Sequence, residues 1–286
     1  MKQFKWTNIF RGFAMGTSDL IPGVSGGTIA LLLGIYDDFI NAVSRLFSKD
    51  FLKSILFLIP IGIGMLLAIG SLSKLINYLL SEHHVPTNFF FLGLIIGIIP
   101  FLLTLANYKK NFKGKHYVLI FLGIALLVGL TLMNGGSKHE PAHLDINLGF
   151  LIKCFIGGIL ASSAMLLPGI SGSFILLLIG IYGSVTFAIS ELTSFNFSVL
   201  PVIIAVGLGI LVGFATTSKL INYCLTHHPY LTYAVILGLV IGSIAAIFPG
   251  LPTTPLTWIV SIITLIVGFC ISYFLGKETA KTETID

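Results

Sequence analysis

Two serines stand where chemistry could be done. Ser25 lies in Gly23-Val24-Ser25-Gly26-Gly27 and Ser171 in Gly169-Ile170-Ser171-Gly172-Ser173, each just after a Pro-Gly step, Pro22-Gly23 and Pro168-Gly169. Gly-x-Ser-Gly and Gly-x-Ser-x-Gly are patterns in which a tight turn presents a nucleophile, so an intramembrane serine hydrolase or a lipid phosphatase using Ser25 is one reading. Such a serine needs a general base within hydrogen-bond reach. The seven histidines (His83, His84, His116, His139, His143, His227 and His228) all fall in loops or at segment ends, and a motif present twice does not suit one catalytic centre. The other chemistry is anion binding. A Pro-Gly step stops one helix and lets another begin. Ser25, Gly26, Gly27 and Thr28, and again Ser171, Gly172 and Ser173, then offer free N–H groups and hydroxyls at the positive end of a helix, which suits phosphate or carboxylate. Plain capping by serine is the structural alternative.

The elements that carry these residues belong to a membrane protein. The chain has 286 residues, 56% of them apolar and 9% charged, a balance foreign to a water-soluble domain of this size. Runs such as 88–106, 117–133 and 258–275 approach the ~20 residues that cross a bilayer. The amino terminus is expected to be retained rather than cleaved as a signal, and no soluble domain is expected. The net charge of +5 is read as loop asymmetry, not as nucleic-acid binding. Cys154, Cys224 and Cys270 lack metal-type spacing and read as small buried hydrophobes; no metal or cofactor is implied.

The chain is a duplication. Residues 21–36 and 167–182 share ten identities in sixteen positions, and Ser73-Lys74-Leu75-Ile76-Asn77-Tyr78 recurs unchanged as Ser218-Lys219-Leu220-Ile221-Asn222-Tyr223. Gly93 and Gly97 map onto Gly238 and Gly242, a spacing that packs helices within one chain or between chains, so an oligomer is compatible with it. The expected fold is an all-α polytopic membrane protein of two inverted-topology repeats, 1–145 and 146–286. Each repeat is a re-entrant helical hairpin broken at Pro-Gly (about 8–44 and 147–190) followed by three transmembrane helices. The first arm, 8–20, rises about 20 Å, too little to cross. Lys and Arg collect in loops that a hairpin, but not a single broken span, places in the cytoplasm, together with both termini. Inverted repeats with opposed broken helices mark secondary transporters, with the site near the midplane.

Charges in apolar segments are functional candidates. Arg11 lies on the first arm, and Asp19, just before the break, either caps it or carries a coupling proton; Met165 takes its place in the second half. Lys153 reads as a snorkelling side chain. Lys74 and Lys219 come late in oppositely directed spans, so one ammonium is expected towards each face.

Arg11-Gly12-Phe13-Ala14-Met15-Gly16 and Asp19-Leu20-Ile21-Pro22-Gly23-Val24-Ser25-Gly26-Gly27-Thr28, with Pro168-Gly169-Ile170-Ser171-Gly172 later, resemble the PopT-like polyprenyl-phosphate transporters over nearly the whole chain. The resemblance implies a bacterial cytoplasmic-membrane protein that returns undecaprenyl phosphate, the lipid carrier of cell-wall precursors, from the outer to the inner leaflet, with membrane lipids and a coupling proton or sodium ion as further partners. Joined to the residues above, it implies a phosphate route from Lys74 to the two helix starts, with Arg11 nearby, and on to Lys219. Ser173 and Phe174 depart from the first motif, so the Thr28 hydroxyl has no counterpart. A carrier of a small soluble anion is the remaining alternative.

Overall fold

A computed structural model describes residues 5–21, 24–46, 48–134 and 146–283. Pro22 and Gly23, expected at the first break, and the polar segment 135–145 between the halves lie outside the described residues. The first half contains α1 (Thr7–Asp19), α2 (Gly26–Leu32), α3 (Tyr36–Ser44), α4 (Phe51–Glu82), α5 (His84–Leu105), the single turn α6 (Tyr108–Asn111) and α7 (Gly114–Asn134). The second contains α8 (Leu148–Leu166), α9 (Gly172–Ile179), α10 (Tyr182–Thr193), a 3-10 turn at Phe197–Val199, α11 (Leu200–His227), α12 (Pro229–Ile247) and α13 (Pro255–Glu283). Each half therefore runs from one arm through two short helices to three long ones, with no strand among the described residues.

The second arm of each hairpin is two helices rather than the expected one. Gly34 and Gly180 have positive φ and end α2 and α9 in the same way. The N–H of Ile35 donates to the Ala30 carbonyl at 2.9 Å and that of Ile181 to Leu176 at 3.0 Å, while Gly34 and Gly180 donate to Leu31 and Leu177. This double bond pattern is a Schellman stop, which only a residue at ease in the left-handed region permits. The repeated Gly-Ile-Tyr is thus a turn, and α10 leaves α9 at 111°.

Among the described residues, α4, α5, α7, α8, α11, α12 and α13 are each long and apolar enough to cross a membrane. α8 is longer than the short arm expected: its 19 residues rise about 28 Å. Length does not set the path of the second arm, but packing does. Where helices touch, glycines mark the register. A Cβ added to Gly12 would lie 2.0 Å from the Ile61 carbonyl oxygen, and one on Gly16 2.6 Å from the Met65 Cα. Contacts advance together along α1 and α4, so the two helices run parallel. The same holds for α8 and α11, where Gly158 meets Val206 and Gly213 meets Ser162. Two more parallel pairs join the halves: Gly93 and Gly97 of α5 lie on Leu265 and Phe269 of α13, and Gly238 and Gly242 of α12 lie on Ile120 and Ile124 of α7. These four glycines pack helices within the chain.

The centre is built from both halves. Ile21, Tyr36, Ile40, Ile95, Leu102, Leu166 and Ile236 are buried in one cluster. Leu66 and Leu67 on α4 and Leu208 and Leu211 on α11 are exposed, as expected of surface facing lipid. Cys154 is buried, and Cys224 and Cys270 are half-buried. In the turn between α3 and α4, Asp50 pairs with Lys53 at 3.0 Å and with Arg45 at 3.2 Å. The hydrogen bond and charge of Lys53, with Arg45 adding to them, hold its carboxyl below the usual carboxylate range.

Replacing Gly93 or Gly238 by leucine is expected to destabilise the chain by at least about 1–3 kcal/mol, the usual result of overpacking. Gly62 and Gly207, which have nothing within 4 Å of an added Cβ, should accept leucine with little change. Melting temperatures of the four variants in detergent, read beside their elution profiles, test the register.

Candidate functional site

The two broken helices meet. Three side chains of the first hairpin hold backbone groups that the break in the second sets free. Tyr36 donates from its hydroxyl to the Leu166 carbonyl at 3.0 Å, Ser25 from Oγ to the Leu167 carbonyl at 3.4 Å, and Gly169 from its N–H to Thr28 Oγ1 at 3.0 Å. Leu166 ends α8 and Leu167 is extended after it, so the Leu166 carbonyl has no backbone donor among the described residues and the Leu167 carbonyl has only the Ile170 N–H, at 3.4 Å. Gly169 has φ +89°, and an added Cβ would sit 2.7 Å from the Leu239 carbonyl oxygen. Both backbone conformation and close approach to α12 require glycine there. Tyr36, Ser25 and Thr28 are all buried.

The start of α2 is closed. Asp19 Oδ1 accepts from the Gly26 N–H at 2.8 Å, and Ser25 Oγ accepts from Gly27 at 3.1 Å. Thr28 and Ile29 donate to the Ser25 carbonyl. Asp19 and Ser25 therefore act as caps here, the bland role that the sequence left open for each. Asp19 Oδ2 is buried without a partner. The start of α9 differs. Ser171 makes no capping bond, its Oγ pairs instead with Ser173 Oγ at 2.7 Å, and the N–H groups of Gly172, Ser173 and Phe174 form no hydrogen bond among the described residues. Met165, where the first half has Asp19, offers no acceptor.

Ser25, Gly26, Gly27 and Thr28 are thus brought together with Pro168 and Gly169, and Ser171, Gly172 and Ser173 form the adjoining turn. The basic candidates lie apart from this cluster. Arg11 donates to Asn8 Oδ1 at 3.0 Å on its own helix, about 12 Å below Asp19 along α1 at 1.5 Å per residue. Lys74 and Lys219 are exposed and make no ion pair among the described residues. Ser25 has no histidine partner: the described histidines sit at the joints α4–α5 and α11–α12 and at the start of α7.

Sequence reading missed Tyr36, Asn8 and a polar cleft. Tyr36 was visible only as the end of the repeated Gly-Ile-Tyr. Asn8 is fully buried, and its Nδ2 has no partner. The cleft, about 320 Å³, is lined by Asp37, Asp38, Asn41 and Arg45 of the first hairpin and by Asn222, Leu225 and Thr226 of α11. Its residues are ordinary surface polar groups, and only the fold brings them together.

These features define a class: a multi-pass helical membrane protein with two broken helices in contact at a buried polar centre, the pattern of membrane transport proteins. The chain belongs to the undecaprenyl phosphate translocase-like family, which matches residues 15–261. A relative from Staphylococcus aureus (strain NCTC 8325 / PS 47), named polyprenyl-phosphate transporter, is 59% identical over 283 residues, covering 99% of this chain and all of that protein. One of the same name from Vibrio cholerae serotype O1 is 33% identical over 262 residues, 87% of this chain and 78% of that protein. No solved structure matches.

Asp19→Ala should lower thermal stability by about 1–3 kcal/mol, because the buried Gly26 N–H loses its acceptor. Asp19→Asn, which keeps an amide oxygen in the same place, should recover most of that loss. Equal melting temperatures for Asp19→Ala and the parent would show that the capping bond is not made in solution.

Proposed function

We propose that the chain transports polyprenyl phosphate of the undecaprenyl class, returning it from the outer to the inner leaflet of a bacterial cytoplasmic membrane by alternating access to a headgroup site between the two hairpin tips. Two named relatives, one matching over the full chain, support the substrate class. The observation that carries the mechanism is the mutual contact of the tips: a single buried polar spot is shared by both halves, so a movement of either half remodels it.

The helix registers support inverted repeats. α1 runs parallel to α4, so the chain must return to its starting face between them, and the first hairpin is re-entrant. The same holds for α8 and α11. α4 reverses into α5 at His83 and α11 into α12 at His228. With α5 parallel to α13 and α7 parallel to α12, α4 and α11 then point in opposite directions. Loop charge orients the assembly with Arg45, Lys49, Lys53 and both termini in the cytoplasm.

In this conformer the open N–H groups of α9, with the Ser171 and Ser173 hydroxyls, are the part of the proposed site free to accept a phosphate. Ser25 to Thr28 are engaged and would join it on rearrangement. Lys74 and Lys219 gather the anionic headgroup at opposite faces, and Arg11 follows it on the first arm. The isoprenoid tail stays in lipid, so only the headgroup needs a polar route. Asp19 is the candidate for a coupling proton.

Purified protein in liposomes carrying labelled undecaprenyl phosphate is expected to exchange the lipid between leaflets. Arg11→Ala and Lys74→Ala should each slow exchange about tenfold or more, as for one charge-assisted hydrogen bond. Ser25→Ala, which removes one hydroxyl and no backbone donor, should slow exchange less than either without abolishing it. Exchange unchanged in both basic variants would sink the route, and phosphate or product release dependent on Ser25 would reopen the hydrolase reading. Equal transport of a short-tailed or tail-free phosphate would favour the small-anion carrier. Transport by Asp19→Asn with the parent's pH dependence would remove Asp19 as the proton carrier.

A further inference from the structure

The two hairpins are alike in sequence but not in state. Every residue of α2 is buried, whereas none of α9 is fully buried. Tyr36 is 2% exposed and reaches the Leu166 carbonyl. Its counterpart Tyr182 is half-buried, and its hydroxyl makes no hydrogen bond among the described residues. Ser25 donates to Leu167, while Ser171 turns to Ser173. Repeated motifs in unequal settings are what a duplicated carrier shows when caught in one of two related conformations, because exchanging the settings of the halves generates the other.

We infer that Tyr36 and Tyr182 are alternating latches. In the conformer seen here, Tyr36 and Ser25 hold the carbonyls of Leu166 and Leu167. In the opposite conformer, Tyr182 and Ser171 hold those of Leu20 and Ile21, the equivalent positions 146 residues earlier, and α9 rather than α2 is packed away. The inference rests on the alternating-access reading above and goes beyond it by naming the groups that change partners.

The chemistry suits a reversible latch. A phenol hydroxyl is one strong donor on a rigid apolar body, and the Leu166 carbonyl that Tyr36 holds, at the end of a broken helix, is an acceptor that nothing else in the helix uses. Breaking the bond leaves a buried carbonyl in need of a partner, so each conformer is kept discrete. Each hydroxyl keeps its proton as it changes acceptor, so the step itself moves no ion. The remaining latch bond, Thr28 to Gly169, has no mirror image because Phe174 stands in the second half. The two conformers are therefore related but not equal in energy.

The test compares thiol access on the two sides of the exchange. Leu31→Cys on α2, 2% exposed, and Leu177→Cys on α9, half-buried, are equivalent positions. Each is introduced singly on a background with Cys154, Cys224 and Cys270 replaced by alanine, and reacted with a water-soluble maleimide in proteoliposomes. Position 177 should react faster than 31 in the parent. Tyr36→Phe should raise the 31-to-177 labelling ratio about fivefold, the factor that about 1 kcal/mol for one net hydrogen bond gives, and Tyr182→Phe should lower it. A merely structural role for either tyrosine does not produce opposite signs. Ser25→Ala, expected to act in the same sense as Tyr36→Phe, serves if that variant fails to elute as a single species. Both phenylalanine variants moving the ratio the same way, or neither moving it, overturns the exchange. Undecaprenyl phosphate movement is followed in the same vesicles. Movement without signed labelling would leave transport standing and end the latch, while signed labelling without movement would keep the latch and end the substrate assignment.

Discussion

A backbone group freed by a helix break has nowhere to turn in hydrocarbon. Water is absent, lipid offers no donor or acceptor, and an unmet group costs about 1–3 kcal/mol even by mutational measure. This constraint organises the centre of the molecule. The first break is met from within its own hairpin, by Asp19 on Gly26 and Ser25 on Gly27. The second is met in part from across the interface, by Tyr36, Ser25 and Thr28, while the first N–H groups of α9 stay open.

Holding two short broken elements against each other takes a rigid frame, and the glycine seams supply it. Parallel helices at backbone distance pack where a side chain on either would collide. Small residues of this kind are how membrane helices associate when no hydrophobic force drives them together. The α5–α13 and α7–α12 seams tie each half to the other, and α1–α4 and α8–α11 tie each hairpin to the first long helix of its own half. The hairpins are thus carried by pairs, so a rigid shift of a pair moves a tip relative to its partner without unpacking the seam.

Much of this frame was legible in the sequence. Apolar runs gave the spans, the duplicated motifs gave the matched element order, and Pro-Gly gave the breaks. What was not legible came from contacts between residues far apart in the chain. Gly34-Ile35-Tyr36 looked like the tail of a repeat, and nothing local said that Tyr36 would reach Leu166, 130 residues on. α8 looked short because its arm was judged by analogy with α1. The second arms looked continuous because a glycine at a Schellman stop is read only when the helix before it is known to end. Asp19 and Ser25 stood out by their place beside the break, but spacing could not separate a cap from a ligand, because both roles use the same N–H groups.

On the proposed route, the bonds between the tips also set the terms on which a phosphate can pass. Breaking all three bonds between the tips without replacement would cost roughly 3–9 kcal/mol at about 1–3 kcal/mol each, comparable to the whole stability of a small domain. A rearrangement of the tips would therefore need an exchange of partners. A phosphate oxygen accepts from an N–H as Thr28 Oγ1 does from Gly169, and it accepts from a hydroxyl as the Leu167 carbonyl does from Ser25. An anionic headgroup can thus take the acceptor's place for the freed hydroxyls and the Gly169 N–H, while the Leu166 and Leu167 carbonyls would need another donor. An apolar or cationic ligand cannot accept from these donors. The polarity of the buried centre, more than any single residue in it, favours an anion as cargo.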